Sequence, residues 1–498
     1  MTVFDAARRM ACRAWSIALL AALSSSPFAA EIRIEPIARP PDTSAIERQR
    51  IEREIEQVER RVAAFAPPAL RPGDARVQSI DTLAAVRKSY IGAARATPSW
   101  SDEALVLADG VWDLGSLQQH SVAQRHLSCP NDQVCELRRP LLIEAGATLW
   151  LHDTQLRLSQ AHGAFVASYG DLIVTDNAAI AGWDVDTDAP ARTEGDAFRP
   201  FIVVFDKGRL VAIDSTFKHL GFDEAVAYGL SISTSSRNVP ASDHPQALVY
   251  NSEIDDLFYA FYTFEAEQID LVGNHITNSH RYGIDPHDFT RDLLITRNDV
   301  SGTKERHGII ASRGVEDLII FDNKSHNNAG TGIMLDRATT NALVIENLVH
   351  DNGADGVAVY ESHDITLADN LLQRNASRGL RIRNSRAVSV RNNRIEENGT
   401  GIEIYARMLD EPPGTRPRTN YETRVSAQLA GNQLDRNRDY GCILKNVSKL
   451  TLLPGPGDRS LAPCEHPNKV AGDQIWVDAL LRVWFWPDPL ELSANQNK

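Results

Sequence analysis

The sequence predicts an all-β protein, a right-handed parallel β-helix (a solenoid) with a helical segment before it. Three observations support this prediction: a repeat of about 24 residues, a glycine at a fixed place in each repeat, and alternating apolar residues after that glycine. A single repeat cannot bury its apolar face, whereas stacked repeats share one continuous core. The chain of 498 residues is therefore expected to form one elongated unit.

Asparagine marks the repeat through the second half of the chain. The recurring residues are Asn251, Asn274, Asn298, Asn323, Asn347, Asn370 and Asn393, and Asn432 resumes the series after a longer gap. We interpret them as a ladder at one corner of the helix, where stacked side-chain amides bond the backbone of the turns. This role is structural, and no catalytic role is assigned to them.

A short strand is predicted after each of the recurring glycines, which are Gly283, Gly308, Gly332, Gly356, Gly379 and Gly401. The first and third residues after each glycine are apolar. Because side chains alternate along a strand, these two columns should point into the core. The second and fourth residues should then face outward, and several of them are charged or aromatic.

The order of segments along the chain follows from composition. Residues 1–30 carry arginines ahead of an apolar stretch, a pattern typical of a secretory signal peptide. Residues 31–103 are predicted to be a helical capping segment, 104–475 the parallel β-helix catalytic domain, and 476–498 a capping tail. No stretch of the mature chain is long and apolar enough to span a membrane. We therefore expect a soluble, exported protein.

An amphipathic helix is predicted near the amino terminus. Ser44 and Glu47 have the spacing of a capping box. Apolar residues follow at helical intervals until Pro67-Pro68, namely Ile51, Ile55, Val58, Val62 and Phe65. Because the open edge of a first coil must be covered, we expect the helix to lie over it. Contact with a partner protein is the alternative.

Two later segments depart from the repeat. Residues 407–423, rich in proline and arginine, are predicted to form a loop inserted between coils that overhangs the outer face. The tail contains Trp484-Phe485-Trp486-Pro487 and is expected to plug the last coil.

Four cysteines follow the signal segment. Local pairing, Cys129 with Cys135 and Cys442 with Cys464, is the expected one of three connectivities, and an oxidising compartment suits it. Metal binding is the alternative, but no cluster of histidine and cysteine has ligand spacing. We expect no metal and no cofactor. The formal charge of −14 argues against bulk binding of nucleic acid.

The candidate site is the segment Asp285-Pro286-His287-Asp288, which interrupts the repeat where neighbouring coils carry mostly aliphatic and small residues. Histidine is the side chain best suited to move a proton near neutral pH. Asp285 or Asp288 could fix the tautomer of His287. Arg313, one coil later, should lie beside Asp288, since coils stack about 4.8 Å apart. An arginine that neutralises a carboxylate makes the adjacent carbon-bound hydrogen more acidic.

The same face continues over the next coils. Five of its residues are predicted to bind substrate, namely Asp336, Arg337, Tyr360, Arg381 and Arg383. Arginine forks bind carboxylates, and aromatic faces stack on sugar rings. The pattern therefore favours a linear polysaccharide that carries carboxylates.

The run from Tyr282 to Asp288, within coils of this kind, resembles the mannuronan C5-epimerases. The export signal and the single solenoid resemble the periplasmic members of that family from alginate-producing Gram-negative bacteria. The resemblance implies an isomerase that converts β-D-mannuronate to α-L-guluronate within polymannuronate during alginate biosynthesis. It also implies a location in the periplasm, where other proteins of an alginate synthesis and export complex would be partners.

The resemblance also assigns roles within the site. His287 would remove the C5 proton and Arg313 would neutralise the C5 carboxylate, while Asp285, Asp288 and Tyr282 are also implicated. Water is our first choice for the acid that returns a proton to the opposite face, and Tyr282 is the second. The calcium-binding nonapeptide repeats of secreted members are absent from the sequence, so no calcium requirement is carried over.

Three alternatives remain open at this stage. A uronate polysaccharide lyase shares the first step but then eliminates at C4. A glycoside hydrolase needs paired carboxyl groups, which Asp285, Asp288 and Asp336 could supply, but His287 and Arg313 would then have no purpose. A non-catalytic scaffold could guard the nascent polymer in the periplasm, and this role does not exclude catalysis.

Overall fold

Three sheets built from successive coils form the body of the molecule in the computed structural model. The structure describes residues 32–82, 88–131, 133–193, 197–409, 421–454, 469–484, 486 and 488–494. Each regular coil contributes one strand to each sheet, and each strand pairs in parallel with its equivalent in the next coil. This is the predicted right-handed parallel β-helix.

The sheet that carries the candidate site is called here the site sheet. Its strands, in spatial order, are Ala75–Ser79, Glu103–Leu107, Leu141–Ile143, Val166–Ser168, Ile202–Phe205, Gly229–Ser233, Tyr259–Phe264, Tyr282–His287, Ile309–Ser312, Ile333–Asp336, Val357–Tyr360, Arg378–Arg383, Thr400–Tyr405, Tyr440–Lys445 and Val470–Gly472.

The next strand of each coil belongs to the flank sheet. Its strands, in chain order, are Ile32–Pro36, Arg71–Pro72, Gly110–Trp112, Ala147–His152, Asp171–Thr175, Arg209–Ile213, Gln246–Tyr250, Glu267–Val272, Arg291–Thr296, Glu316–Phe321, Thr340–Ile345, His363–Ala368, Arg386–Arg391, Ser426–Ala430, Lys449–Leu453 and Leu490–Ala494.

The third sheet is made mostly of three-residue strands. They are Leu127–Asn131, Val134–Leu137, Gln155–Ser159, Ala179–Asp184, Ala189–Pro190, Thr216–Lys218, Glu253–Asp255, His275–Thr277, Asp299–Ser301, Lys324–His326, Leu348–His350, Leu371–Gln373, Arg394–Glu396 and Gln433–Asp435. The α-helices of the described residues are α1 (Ser44–Ala63), α2 (Lys88–Arg95), α3 (Leu114–Gln119) and α4 (Gln474–Val483), and short 3₁₀ turns cover Ile80–Thr82, Ala123–Arg125 and Ala241–Asp243.

The core lies inside the coils, as the alternating pattern predicts. The residue after each recurring glycine is almost fully buried, from Ile284 through Ile309, Ile333, Val357 and Leu380 to Ile402. Each such side chain contributes roughly 1.5–3 kcal/mol on burial. Some outward positions are buried as well, because neighbouring outward side chains cover them; they include Asp285, Ile310, Ala358 and Glu403.

The asparagine ladder is confirmed from Asn274 to Asn432. At each rung the side-chain amide donates to the amide oxygen of the next asparagine at 2.9–3.0 Å. That oxygen also accepts the backbone N–H of the preceding rung. Asn251 was wrongly included. It is exposed and bonds Asp214, while Ser252 takes the corner position and donates its backbone N–H to Asn274. The register shifts by one residue at that coil.

A second buried ladder, which was not predicted from the sequence, lies at the turn from the third sheet to the site sheet. Its members are Asn328, Asn352, Asn375, Asn398 and Asn437, joined amide to amide at 2.9–3.2 Å. These residues recur at the same period as the first series, so the signal was present in the sequence.

Helix α1 does not cap the first coil, which corrects our prediction. Ile51, Ile55 and Val58 pack on outward apolar residues of the flank sheet, from Leu248 to Ala368. Ion pairs of α1 with Arg391, Glu346, Arg297 and Asp270 lie on four different coils along its length. The capping box is wrong too, because Thr43 is the N-cap residue and makes no side-chain cap hydrogen bond.

Other parts of the N-terminal segment cover the two ends of the β-helix. The strands Arg71–Pro72 and Ala75–Ser79 pair antiparallel with the first coil. Strand Ile32–Pro36 lies at the opposite end, antiparallel to Leu490–Ala494. Helix α4 buries Trp476 and Leu480 in the main core near the last coil, and Trp484 is buried too. Phe485 and Pro487 of the predicted plug lie outside the described residues.

Several predictions concern segments at or beyond the described ranges. The Cys129–Cys135 disulfide is present. Cys442 is disulfide-bonded, and its predicted partner Cys464 lies outside the described residues. So do residues 1–31 and most of the predicted loop 407–423. The boundaries at residues 103 and 475 stay predictions. No helix of the described part of the chain is long and apolar enough to cross a membrane.

Candidate active site

Strand Tyr282–His287 positions the candidate residues. It pairs with Tyr259–Phe264 of the coil before, and with Ile309–Ser312 of the coil after. Ile284 and Pro286 point inward and are buried, so Asp285 and His287 share the outer face. Proline has no N–H to donate, and the pairing to the next strand is kept at Ile284 and His287.

His287, Asp288 and Arg313 meet at the centre of the site. Nδ1 of His287 lies 2.8 Å from Oδ2 of Asp288. Nη1 of Arg313 lies 3.9 Å from the same oxygen. The side chain of Asp288 is only 3% exposed, whereas those of His287 and Arg313 are 20% and 31% exposed. His287 and Arg313 therefore emerge together from adjacent coils, and a buried carboxylate contacts both.

The contact with Asp288 also sets the tautomer of His287. A carboxylate accepts hydrogen bonds, so the contact fits a proton on Nδ1. Nε2 then carries the lone pair and is the ring nitrogen left to act as a base. Of the two aspartates proposed for this role, Asp288 makes the contact.

Asp285 is buried among tyrosines. Burial raises the pKa of its carboxyl group to about 7, although the charges of His287 and Arg313 oppose the shift. Its Oδ1 atom has no hydrogen-bond partner among the described residues. A carboxyl group that titrates near neutral pH can either donate or accept a hydrogen bond.

An aromatic cluster covers the site on the side of the preceding coils. Its members are Tyr228, Phe258, Tyr259, Tyr262, Phe264 and Tyr282. The rings of Tyr228 and Tyr259 stack with centroids 4.3 Å apart, and the ring of Tyr262 lies 5.9 Å from that of His287. Only Tyr282 was predicted from the sequence. Extending the outward columns back by one coil, to Tyr262 and Phe264, would have found part of the cluster.

The tyrosines of this cluster hold their protons firmly. Burial raises the pKa of Tyr228 to about 12. Burial and the nearby Asp285 carboxyl also raise the pKa of Tyr282 above its ordinary value. A neutral phenol at this position can donate a hydrogen bond or a proton.

Asp336 and Arg337 follow one coil after Arg313. Burial raises the pKa of the Asp336 carboxyl to about 6, and the charge of Arg337 opposes the shift. Nε of Arg337 lies 3.4 Å from Oδ2 of Asp336, and the guanidinium side chain is 52% exposed. The Arg337 guanidinium therefore has donors open to solvent on the site face.

Tyr360, Arg381 and Arg383 form a tight network further along the same face. Arg383 lies over the Tyr360 ring, 3.8 Å from its centroid, and binds Glu361 through two hydrogen bonds of 2.8 Å. Arg381 donates to the Tyr360 hydroxyl at 3.0 Å and pairs with Asp355 at 3.2 Å. Both arginines are thus already engaged by carboxylates, and together they hold the Tyr360 ring in place.

No group of three or more His, Cys, Asp or Glu side chains is arranged to hold a metal ion within the described ranges. The site offers acid–base groups, a carboxylate-binding arginine and ring surfaces. Such a set can bind a uronate and move a proton at the carbon next to its carboxylate.

Comparison with known proteins gives matches in fold and in sequence. Residues 201–342 and 289–408 match the family model described as a right handed beta helix region. A mannuronan C5-epimerase of Pseudomonas syringae pv. tomato is 32% identical over 252 residues, which are 48% of this chain and 47% of the relative. The mannuronan C5-epimerase AlgG of Azotobacter vinelandii is 32% identical over 341 residues, 67% of this chain and 65% of the relative. The matches thus span about half to two thirds of these curated relatives.

A solved structure resembles most of the chain. The crystal structure of the periplasmic alginate epimerase AlgG aligns with a TM-score of 0.68 and 27% sequence identity. The alignment covers 80% of this chain and 99% of that one.

Proposed function

We propose, from this geometry and from the similarity to mannuronan C5-epimerases, that the chain epimerises β-D-mannuronate to α-L-guluronate at C5 within polymannuronate. The single observation that supports this most strongly is the group of His287, Asp288 and Arg313. A base and a carboxylate-binding cation emerge there from neighbouring coils beside one buried aspartate. Curated relatives over 30% identical carry the same activity in their names.

In the first step, Arg313 binds the carboxylate of the reacting sugar. Its positive charge stabilises the negative charge that develops on the carboxylate oxygens when the C5 proton leaves. Nε2 of His287 takes that proton, and the imidazolium that forms is stabilised by Asp288 through Nδ1. The product of this step is a planar enolate-like intermediate at C5.

In the second step, a proton returns to C5 from the opposite face. The electron pair that the departing proton left on C5 and its carboxylate now forms the new C–H bond. The sugar thereby becomes guluronate. Water is our first choice as donor and Tyr282 the second. Burial keeps the Tyr282 phenol protonated, which is the state a donor needs.

The remaining site residues are proposed to bind the polymer. Asp285, with its carboxyl group titrating near neutral pH, can donate or accept a hydrogen bond to sugar hydroxyls. Asp336, Arg337 and Tyr360 line the same face over the following coils. The charges of Arg381 and Arg383 are offset by acidic partners, so their proposed contribution is to orient Tyr360 for contact with a sugar ring.

The test uses polymannuronate as the substrate and proton NMR to follow guluronate. The wild type should form guluronate, and His287→Ala and Arg313→Ala should each slow its formation at least about 100-fold. Two controls match the substituted residue types but lie in the third sheet or the turn after it, His326→Ala and Arg374→Ala. Both should keep wild-type rates. Full guluronate production by either site variant would remove its proposed role.

The same assay separates epimerisation from lyase activity, which shares the first step. Elimination at C4 would create an unsaturated uronate, detected by its ultraviolet absorbance. We expect guluronate without this absorbance. Strong absorbance with no guluronate would assign the site to a lyase.

We place the protein in the periplasm, in line with the location named for the similar crystal structure. There it would meet the polymer before export, alongside other proteins of alginate synthesis and export. A scaffold role for the protein can be separated from catalysis. An inactive His287→Ala protein that restores polymer export in a strain lacking the wild type would support the scaffold role. Loss of export with this folded variant would contradict it.

A further inference from the structure

Three consecutive coils use three residues for the turn from the site sheet to the flank sheet, and only one of the three middle residues is large. Phe289, Gly314 and Ala338 are the middle residues of these three turns and are aligned with one another. Backbone hydrogen bonds fix this alignment, since Phe289 N–H donates to Arg313 and Gly314 N–H to Arg337. Small residues suit a tight turn between stacked coils. Phe289 is the only large side chain among these three aligned residues.

The Phe289 ring rests on the next coil. A Cβ atom added to Gly314 would lie 2.7 and 2.9 Å from Cδ1 and Cε1 of the ring, closer than such atoms approach. The ring therefore occupies the space that a side chain at position 314 would need. The residue is nevertheless 41% exposed, so the ring also presents surface to solvent.

The backbone of Phe289 is also unusual for its residue type. Its φ of +61° lies in the left-handed region, which is unfavourable for bulky side chains. Asparagine, aspartate or glycine would adopt this conformation at lower cost. Strain retained beside reacting groups is common at functional sites. Single exposed apolar residues need no explanation in general, but this one combines an unfavourable backbone conformation, exposure and small equivalents in the next two coils.

The position of the ring relates it directly to the proposed chemistry. Phe289 follows Asp288, which holds His287, and Gly314 follows Arg313, the proposed carboxylate ligand. When the reacting sugar of a polymer contacts His287 and Arg313, the next sugar of the polymer must lie beside these two residues. The C–H face of a pyranose ring is apolar, and an exposed aromatic face is the surface that binds it.

We propose that Phe289, supported on Gly314, forms a sugar-binding subsite for a uronate adjacent to the one that reacts. The inference rests on the proposed function, because it takes the polyuronate as the occupant. It predicts that Phe289 contributes to binding and to the register of the polymer, while leaving the proton transfer itself to His287.

The test compares Phe289→Ala, Phe289→Leu and Phe289→Tyr with the wild type and with Leu481→Ala. Leu481 is an equally exposed apolar residue on α4, far from the site sheet turn, and serves as the matched control. Binding of a mannuronate hexamer is measured by calorimetry, and epimerisation of polymannuronate by proton NMR. Thermal melting checks that each variant is folded.

We expect Phe289→Ala and Phe289→Leu to weaken hexamer binding and raise KM about tenfold, a loss of the size seen when aromatic stacking is removed. The kcat value should change less than about twofold, and Phe289→Tyr and Leu481→Ala should resemble the wild type. Phe289→Leu keeps an apolar side chain next to Gly314 but removes the aromatic ring. It therefore tests the role of the ring even if the alanine variant is unstable.

Two outcomes distinguish this inference from the proposed function. In the first outcome, the wild type epimerises, and Phe289→Ala and Phe289→Leu match its hexamer affinity, KM and kcat. The proposed subsite is then wrong, while the proposed function stands. If the wild type binds the hexamer without forming guluronate, and Phe289→Ala weakens that binding, the function is wrong while the subsite stands.

Discussion

At the scale of single residues, Asp288 is expected to control the base. It accepts a hydrogen bond from Nδ1 of His287 and is almost fully buried. Asp288→Asn can present an amide N–H to that nitrogen, which would move the ring proton to Nε2 and remove the base. We expect kcat to fall at least about 100-fold with little change in KM.

The chain offers a matched control for this variant. Asp351 accepts a hydrogen bond of 2.6 Å from Nδ1 of His350 in the same sequence arrangement, but at the end of a strand of the third sheet. Asp351→Asn should keep the wild-type kcat. Equal losses in the two variants would indicate general damage to the fold rather than loss of the base.

Asp285 makes stability depend on pH. Its pKa is about 7 in the folded protein against 3.8 as the reference value. Between about pH 4 and pH 7 the folded protein keeps a proton that the unfolded chain has lost, so stability falls as the pH rises through this interval. Asn stays neutral throughout. The melting temperature of Asp285→Asn minus that of the wild type should therefore increase from pH 4 to pH 8. A gap that stays constant or narrows with pH would contradict the assigned environment.

The part of the site that was predicted from the sequence is the part formed by residues of one strand or of two adjacent coils. His287, Asp288 and Arg313 lie at equivalent or neighbouring repeat positions, so the period alone places them together. The aromatic cluster was mostly missed because the glycine series that locates the site-sheet strands begins at Gly283, one coil after most of the cluster. The pairing of Arg383 with Glu361 was missed as well, because ion pairs depend on side-chain conformations that spacing does not determine.

At the scale of elements, the asparagine ladder should stabilise the coils it joins. Asn347 accepts the backbone N–H of Asn323 and donates to Ile320 and to Asn370. Asn347→Ala leaves these buried groups unpaired, at a cost of about 1–3 kcal/mol for each. We expect the melting temperature to fall by several degrees. Asn251→Ala, which removes an exposed asparagine outside the ladder, should change it little. A similar fall for both would contradict the ladder's role.

Helix α1 shows what the sequence could not decide about an element. Its apolar spacing correctly indicated a helix with one buried face. The pattern contains no information on which surface covers that face, because outward apolar residues on the flank sheet, such as Leu294 and Ile319, look like strand core in the sequence. The helix therefore lies along the side of the β-helix instead of over its end.

At the scale of the whole molecule, the N-terminal segment runs the length of the β-helix. Strand Ile32–Pro36 pairs with the end of the chain, α1 crosses the flank sheet, and Ala75–Ser79 covers the first coil. Local sequence predicts the repeating body, since each coil contacts only its neighbours. Contacts between residues more than 400 positions apart carry no such period and could not be predicted.

The measurement that tests the central claim most directly is C5 exchange during the reaction in deuterium oxide. If His287 removes the C5 proton and solvent supplies the new one from the opposite face, each guluronate formed by the wild type carries deuterium at C5, and its H5 signal is missing from the proton NMR spectrum. In His287→Ala and Arg313→Ala the mannuronate H5 signal should persist undiminished over the same time. Guluronate that retains its original C5 proton, or exchange at the wild-type rate in either variant, would contradict the account.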